Sequence, residues 1–288
     1  MEKNAIKVDL PDNLRDYQKA FETAYEEKSV IYYQIQSYFN SDINEILNRK
    51  NVTVFDVGAN VGLFSMEVLR RTAGQAQIYS FEPVPETYRK LQANLEQFNL
   101  PNIHLFNYGL GEDELTVTFM HSPAVASVSS RYDMYGSDDN KMALSMIYNK
   151  NLADKFHMNI PGFLRYLPRP VNSALLTLMS YLFRKTIGKS QPVECRITTL
   201  SKIVADQQIE KIDLLKIDVE KAELDVLMGI SAADWGKINA IVLEVHDIAD
   251  RENVIRKLLT QHGFNRIVVD KEEEGQRAFG MSGFRDGR

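Results

Sequence analysis

Only one cysteine, Cys195, occurs in the 288 residues. Neither an intramolecular disulfide nor a cysteine-rich zinc site can be built from it. Long apolar runs are missing as well. The longest, Val171 to Phe183, is interrupted by Asn172, Ser173, Thr177 and Ser180 and falls short of the roughly 20 residues that cross a bilayer. The opening MEKNAIKVDLPDN lacks the apolar core of a secretory signal. Positive charge is not in excess: 34 basic against 39 acidic residues leaves −5, which argues against nucleic-acid binding through a strongly basic surface. With 44% hydrophobic and 25% charged residues, the composition excludes a disordered chain, a collagen-like repeat and a disulfide-stapled miniprotein. It predicts a soluble protein of a reducing compartment, the cytoplasm, with one large domain or two modest ones.

Periodicity divides the chain. Residues 1–50 read as a helical cap, with Leu14, Tyr17, Phe21 and Tyr25, then Ile31, Ile35 and Tyr38, at three- and four-residue steps. From Asn51 short apolar runs alternate with amphipathic stretches: VTVFDV, a helix over 62–72, AQIYSF, a helix over 85–98, IHLFNY. The pattern resumes with DLLKID, a helix over 221–229, INAIVLEVH, a helix over 250–262 and FNRIVV. Such alternation predicts βαβ units on a parallel sheet, so 51–288 reads as one α/β core. ELTVTF (114–119) and VECRITT (193–199) read as strands flanking a helical insertion over 120–192, and they are candidates to pair with each other.

The sharpest local signal is VFDVGANVGLFS, residues 54–65. A buried strand ends at Asp56, a glycine turn follows, and a helix starts near Gly62. Gly58 and Gly62 would let backbone approach a ligand closely, beside unpaired N–H groups at the helix start. One half-unit later, in YSFEP, Glu82 closes the second strand, where it would accept hydrogen bonds from two ribose hydroxyls. The pair suits a nucleoside cofactor. A dinucleotide fingerprint would need glycine at 58, 60 and 63, and Asn60 and Leu63 break it. Asp56 disfavours phosphate and suits the amino and sulfonium groups of S-adenosylmethionine.

DVGANVGLFS, FEPVPETYRKLQANL, KIDVEKAELDVLMG and IVLEVH, in that order, resemble the FkbM-type family of S-adenosylmethionine-dependent methyltransferases over roughly 51–120 and 193–270. The resemblance implies a class I, Rossmann-like fold, a mostly parallel seven-stranded sheet, with S-adenosylmethionine as cofactor. It also suggests O-methylation of a secondary-metabolite or sugar-like acceptor. Asp56, Gly58, Ala59, Asn60, Gly62, Ser65, Glu82 and Pro83 are then the cofactor-binding candidates, joined by Asn107 and Gly109 where this class of fold meets the adenine. The chain departs from the family at Lys221, where glycine is usual, and in the length of its insertion.

A second constellation, Lys216, Asp218 and Glu220, lies at period two at the end of the fourth core strand, and Glu244 and His246 repeat it on the next. Ligands in open α/β sheets bind at these carboxyl ends. An aliphatic hydroxyl is a poor nucleophile, and a base near its proton accelerates transfer by about 10²–10⁴-fold. His246 is the first candidate for that base, with Glu244 or Asp218 orienting it and Glu220 beside them. Two carboxylates and an imidazole are also a donor set for a hard divalent cation such as Mg²⁺. Plainer roles are an ion pair for Lys216 and a helix cap for Glu220. His104, His121, His157 and His262 have no such company.

Between Asp154 and Glu194 there is no acidic residue, while Lys155, Arg165, Arg169, Arg184, Lys185 and Lys189 are basic. The insertion reads as a lid over the cofactor or as a hairpin that enlarges the core. Its charge would suit an acidic carrier protein bearing a tethered acceptor, as opposed to a free small molecule, or an anionic membrane surface. The N-terminal helices would cap the cofactor or form a homodimer surface. An N-methyltransferase, a non-catalytic cofactor-binding module and, least of all, a nicotinamide oxidoreductase are the competing functions. In calorimetric titration the chain is expected to bind S-adenosylmethionine and not NAD. A signal that requires Mg²⁺ would turn the carboxylates and imidazole into ligands.

Overall fold

The computed structural model describes residues 35–121, 191–246, 248–271 and 278–285. The proposed insertion and most of the N-terminal cap therefore lie outside the described residues, as do the lid, hairpin and docking roles expected of them. In chain order the elements are α1 (Ser41–Leu47), β1 (Thr53–Val57), α2 (Leu63–Arg71), β2 (Gln77–Phe81), α3 (Pro85–Glu96), β3 (Ile103–Phe106), β4 (Gly109–Leu110) and β5 (Leu115–His121). After the insertion come β6 (Gln191–Thr198), α4 (Leu200–Asp206), β7 (Leu214–Ile217), α5 (Glu223–Met228), β8 (Ala240–His246), α6 (Arg251–Gln261), β9 (Arg266–Asp270) and β10 (Ala278–Phe284).

A seven-stranded sheet runs in the order β3-β2-β1-β7-β8-β10-β9. It is parallel from β3 through β8, and β10 is antiparallel to both its neighbours. This is the doubly wound α/β architecture that the alternation predicts. Each strand of the parallel centre divides its side chains between two cores, as pleating requires. Phe55, Val57, Tyr79, Phe81, Leu215, Ile217, Leu243 and Val245 face one core. Val54, Ile78, Leu214 and Val242 face the other, with Phe64 of α2 and Ile43 of α1. Period two then carries Asp56, Ser80, Lys216 and Glu244 to the second face, at the carboxyl ends. Register brings them together: Asp56 is the Cα partner of both Ser80 and Lys216.

The turn after β1 is laced to its neighbours. The N–H groups of Gly58 and Ala59 both donate to the Phe81 carbonyl, at 3.1 and 2.9 Å. Gly58 has φ +75, and a Cβ there would stand 1.8 Å from the Asp218 carbonyl oxygen. Gly62 has φ +92 and would press its Cβ on Leu91 Cδ1 at 2.8 Å. The glycines thus answer to contacts within the protein. Gly58 lets the turn reach the end of β7, and Gly62 lets α2 reach α3.

Two features exceed the sequence reading. The expected strands β5 and β6 do pair, antiparallel, in a small second sheet of order β4-β6-β5. Strand β10, AFGMSGF, was not expected because its two glycines dilute the strand signal, yet it fills the space between β8 and β9. Helix α4 was also unforeseen; Thr199 caps it by accepting the Lys202 N–H. Residues Tyr38, Phe39, Ile43, Ile46 and Leu47 pack into the same core as Val54 and Phe64. No helix among the described residues is long and apolar enough to cross a membrane.

Substituting Gly58→Ala is expected to cost at least ~2 kcal/mol, from left-handed strain alone, before the collision with Asp218 is counted. Thermal unfolding should report a drop of about 4–8 °C or more in Tm.

Candidate active site

Glu82 stands just beyond β2, buried, with both carboxylate oxygens on backbone donors. Asn60 N–H reaches one oxygen at 3.1 Å and Val84 N–H the other at 2.9 Å. Each oxygen retains a lone pair for a further donor. Burial pushes the Glu82 carboxyl up to about 7, against those two N–H groups and Lys216. The side-chain Oδ1 of Asn60 is buried without a hydrogen-bond partner. A buried acceptor left open beside a carboxylate with spare lone pairs is what a polar ligand would complete.

Other cofactor candidates sit behind this surface. Asp56 is fully buried, with Ser65 Oγ donating to its Oδ2 at 2.6 Å and Lys216 Nζ forming an ion pair with Oδ1 at 3.0 Å. Ser65 Oγ also meets Ser80 Oγ at 2.8 Å. Asp56 is thus paired with Ser65 and Lys216, and its Oδ1 is buried without a hydrogen-bond partner. Asn107 spends its amide on the carbonyls of Glu82 and Pro83, at 2.9 and 3.1 Å, and Gly109 lies in β4 against Pro83 and Ile197. These two position the strand end that carries Glu82. Ala59 is buried in the second core.

Lys216, 3% exposed, joins the two constellations. Its ammonium donates to the Gly58 carbonyl at 2.9 Å and lies 3.7 Å from Asp218 Oδ2. Burial opposes the charge, but Asp56 and Asp218 outweigh it and raise the amine above its ordinary value. The ion-pair role for Lys216 is the one observed. Asp218 Oδ2 accepts the Tyr38 hydroxyl at 2.9 Å. The Glu244 carboxyl is within hydrogen-bonding reach of Asp218. Glu244 is pushed up to about 7, first by burial and then by Asp218, with Glu220 adding to that push and His246 opposing it.

His246, the first candidate for the base, is held between two carboxylates. Nδ1 lies 2.8 Å from Glu223 Oε1 and Nε2 3.3 Å from Glu220 Oε2. Burial alone would depress its pKa, but the hydrogen bonds from Glu220 and Glu223 push it up to about 10. The ring is therefore an imidazolium at neutral pH, with no lone pair to take a proton. Glu220 serves His246 and does not cap α5, whose N-cap is Ala222. The turn that carries it survives without glycine: Glu220 and Lys221 have φ 49 and 77. The Lys221 N–H donates to Glu223 at 2.8 Å and its carbonyl accepts from Arg251 at 2.7 Å. Both His246 nitrogens are thus occupied, and among the described residues no group of three or more His, Cys, Asp or Glu could hold a metal ion. Nothing in this geometry favours the cation reading.

Tyr38, Glu223 and Arg251 were missed. Tyr38 lies 180 residues from its partner and left no local signal. Glu223 sits within KIDVEKAE and could have been found as the helix-start acid three residues after Glu220. His104 and His262 are ordinary, stacked on Tyr79 and Trp235.

The sequence model described as "Methyltransferase FkbM domain" matches residues 56–266. The AMB antimetabolite synthetase AmbE of Pseudomonas aeruginosa is 30% identical over 257 residues, which are 85% of this chain and 11% of that protein. The chain thus spans about a tenth of that relative. The 31-O-demethyl-FK506 methyltransferase FkbM of Streptomyces tacrolimicus is 28% identical over 78% of this chain and 76% of its own length. Among solved structures, methyltransferase FkbM from Methylobacillus flagellatus superposes with a TM-score of 0.50 at 14% identity, covering 95% of this chain and 55% of that one. At that identity the likeness speaks for the fold alone.

In proton NMR, His246 of the wild type should stay protonated to pH 9. Replacing Glu223→Gln removes one carboxylate and should bring the midpoint down by at least roughly one unit. Because the folded value is the raised one, the stability this ring contributes is complete below about pH 6.5 and fades as pH climbs towards 10.

Proposed function

The chain belongs to the FkbM methyltransferase family, and from that premise we propose that it is an S-adenosylmethionine-dependent O-methyltransferase in which Glu244, paired with Asp218, takes the acceptor proton. The acceptor we propose is a hydroxyl of a secondary metabolite or a sugar-like compound, free or tethered to a carrier. The names of two relatives support this class: one is a 31-O-demethyl-FK506 methyltransferase, and the other is an AMB antimetabolite synthetase.

The residues fit the cofactor. Glu82 would take the ribose hydroxyls on its spare lone pairs, and Asn60 Oδ1 would accept a ligand donor. S-adenosylmethionine supplies an electrophilic methyl carbon bonded to a sulfonium. What remains for the protein is to orient the acceptor oxygen in line and to receive its proton.

The observation that carries the proposal is the contrast between two residues on one strand. His246 is saturated by carboxylates and stays charged. Glu244, two residues earlier, has a carboxyl near neutrality and is poised to hold or release a proton at working pH. Ionised Glu244 would accept the proton from the acceptor hydroxyl as the methyl carbon exchanges its bond to sulfur for one to oxygen, leaving the spent donor as a neutral thioether, and the proton would then be shared with Asp218. His246, Glu220 and Glu223 keep the far side of the pair in place.

The test is product analysis with hydroxyl- and amine-bearing acceptors, paired with calorimetry. Glu244→Gln should lower O-methyl transfer by about 10²–10⁴-fold while donor affinity changes little. Wild-type transfer should rise through about pH 7 as Glu244 ionises. Donor affinity should rise over the same range, because Glu82 must be ionised to accept two hydroxyls, and Glu82→Gln should flatten that dependence. Retained transfer in Glu244→Gln, or methylation of amines alone, would overturn the assignment.

A further inference from the structure

Tyr38 is buried and lies far from the strand ends in sequence, yet its hydroxyl meets one of the two acids of the proposed base. The segment that delivers it is bolted to α2. Gln36 accepts from Arg71 at 2.8 Å, Asn44 accepts from the same guanidinium, and that guanidinium lies 4.2 Å over the Phe39 ring. Phe39 in turn stacks on Phe64, with centroids 5.1 Å apart, and the Tyr38 ring meets Phe64 edge-on at 5.7 Å. Four of these contacts anchor the segment, and the fifth, Phe64 edge-on, fixes the ring that carries the hydroxyl. This is more than packing needs, since a phenylalanine would fill the same volume.

We propose that Tyr38 is a positioning residue for the acidic pair: its hydroxyl holds Asp218 as the carboxylate, so that the proton shared by the two acids resides on Glu244. The pair's part in methyl transfer rests on the function proposed above; the Tyr38 link itself rests on geometry. A phenol donates one hydrogen and Asp218 Oδ2 accepts it at 2.9 Å, whereas Lys216 is drawn 3.7 Å away towards Asp56 and the Gly58 carbonyl. Burial, then Asp218, Glu244 and Asp56, raise the Tyr38 phenol well above its ordinary value, so it remains a donor at any working pH. The other groups facing the pair are Asp56 on β1, Lys216 on β7, Glu220 after β7 and His246 on β8, with Glu223 and Arg251 behind His246. None of these leaves with the tyrosine hydroxyl.

The sign follows from charge. When the last shared proton departs, both acids are anionic, and that state gains most from a donor. Removing the hydroxyl therefore costs the folded protein at both pH values, and costs most in the high-pH form, where the proton on Glu244 no longer remains as a second donor to Asp218. The experiment is thermal unfolding of the full chain at pH 6 and pH 9 for wild type, Tyr38→Phe, Glu244→Gln and the double variant. The Tm gap between wild type and Tyr38→Phe should widen by about 3 °C from pH 6 to pH 9, as a shift of one pKa unit would give. In the Glu244→Gln background, where the shared titration is gone, the gap should be the same at both pH values. Asp218→Asn combined with Tyr38→Phe should likewise show no widening. A gap that is constant in the wild-type background, a widening that persists with Glu244→Gln, or unfolding of Tyr38→Phe at both pH values would each assign the tyrosine to packing and overturn the proposal. No methyl acceptor enters this measurement, so its failure leaves the transfer reading intact, and absent transfer leaves this result intact.

Discussion

A single buried ammonium ties this molecule's two sequence motifs together. Lys216 has almost no solvent and must find its negative charge inside the protein, because an unpaired charge in such a place costs several kcal/mol. It finds Asp56 at the end of one strand and Asp218 at the end of the next, and it spends a further hydrogen on the Gly58 carbonyl between them. The glycine turn, the end of β7 and the acid beyond it are thereby set relative to one another. Ser65 and Ser80 extend the same polar thread to α2 and β2. The ends of β1, β2 and β7 are thus held in one frame.

Strand ends show how far environment overrides residue type. Glu244 and His246 share a strand and a face, and by ordinary values the imidazole would be the base and the carboxylate the permanent anion. Here the roles are reversed. Two carboxylates on the imidazole make it a cation, and burial beside Asp218 makes the glutamate a titrating group near neutrality. Period two in a strand tells which side chains share a face; it does not tell which neighbours the following turn will bring to them.

Legibility in the sequence tracked the range of the interactions involved. The sheet and its helices could be read because each strand's apolar run and each helix's stripe are local patterns, and Val54 and Phe55 already announce two cores. The sheet's β10 escaped notice since its glycines look like a loop until β8 and β9 offer both edges. At the site, the identity of the residues at the carboxyl ends was legible, and their duties were less so. Asp56 reads as a ligand contact, and its pairing with Ser65 and Lys216 has no local sign. Tyr38 was unreadable as a functional residue, because nothing in residues 35–40 hints at a partner on β7's far end. Long-range pairings of single polar groups leave no periodic trace.

The turn after β7 has a consequence for how such a site diverges. Lys221 holds a left-handed conformation that glycine would adopt freely, and Arg251 and Glu223 supply its restraint from α6 and α5. Conformation in this turn is therefore set in part by a helix thirty residues downstream in the chain. Drift on α6 thus has a route to the carboxyl end of β7 through a backbone carbonyl.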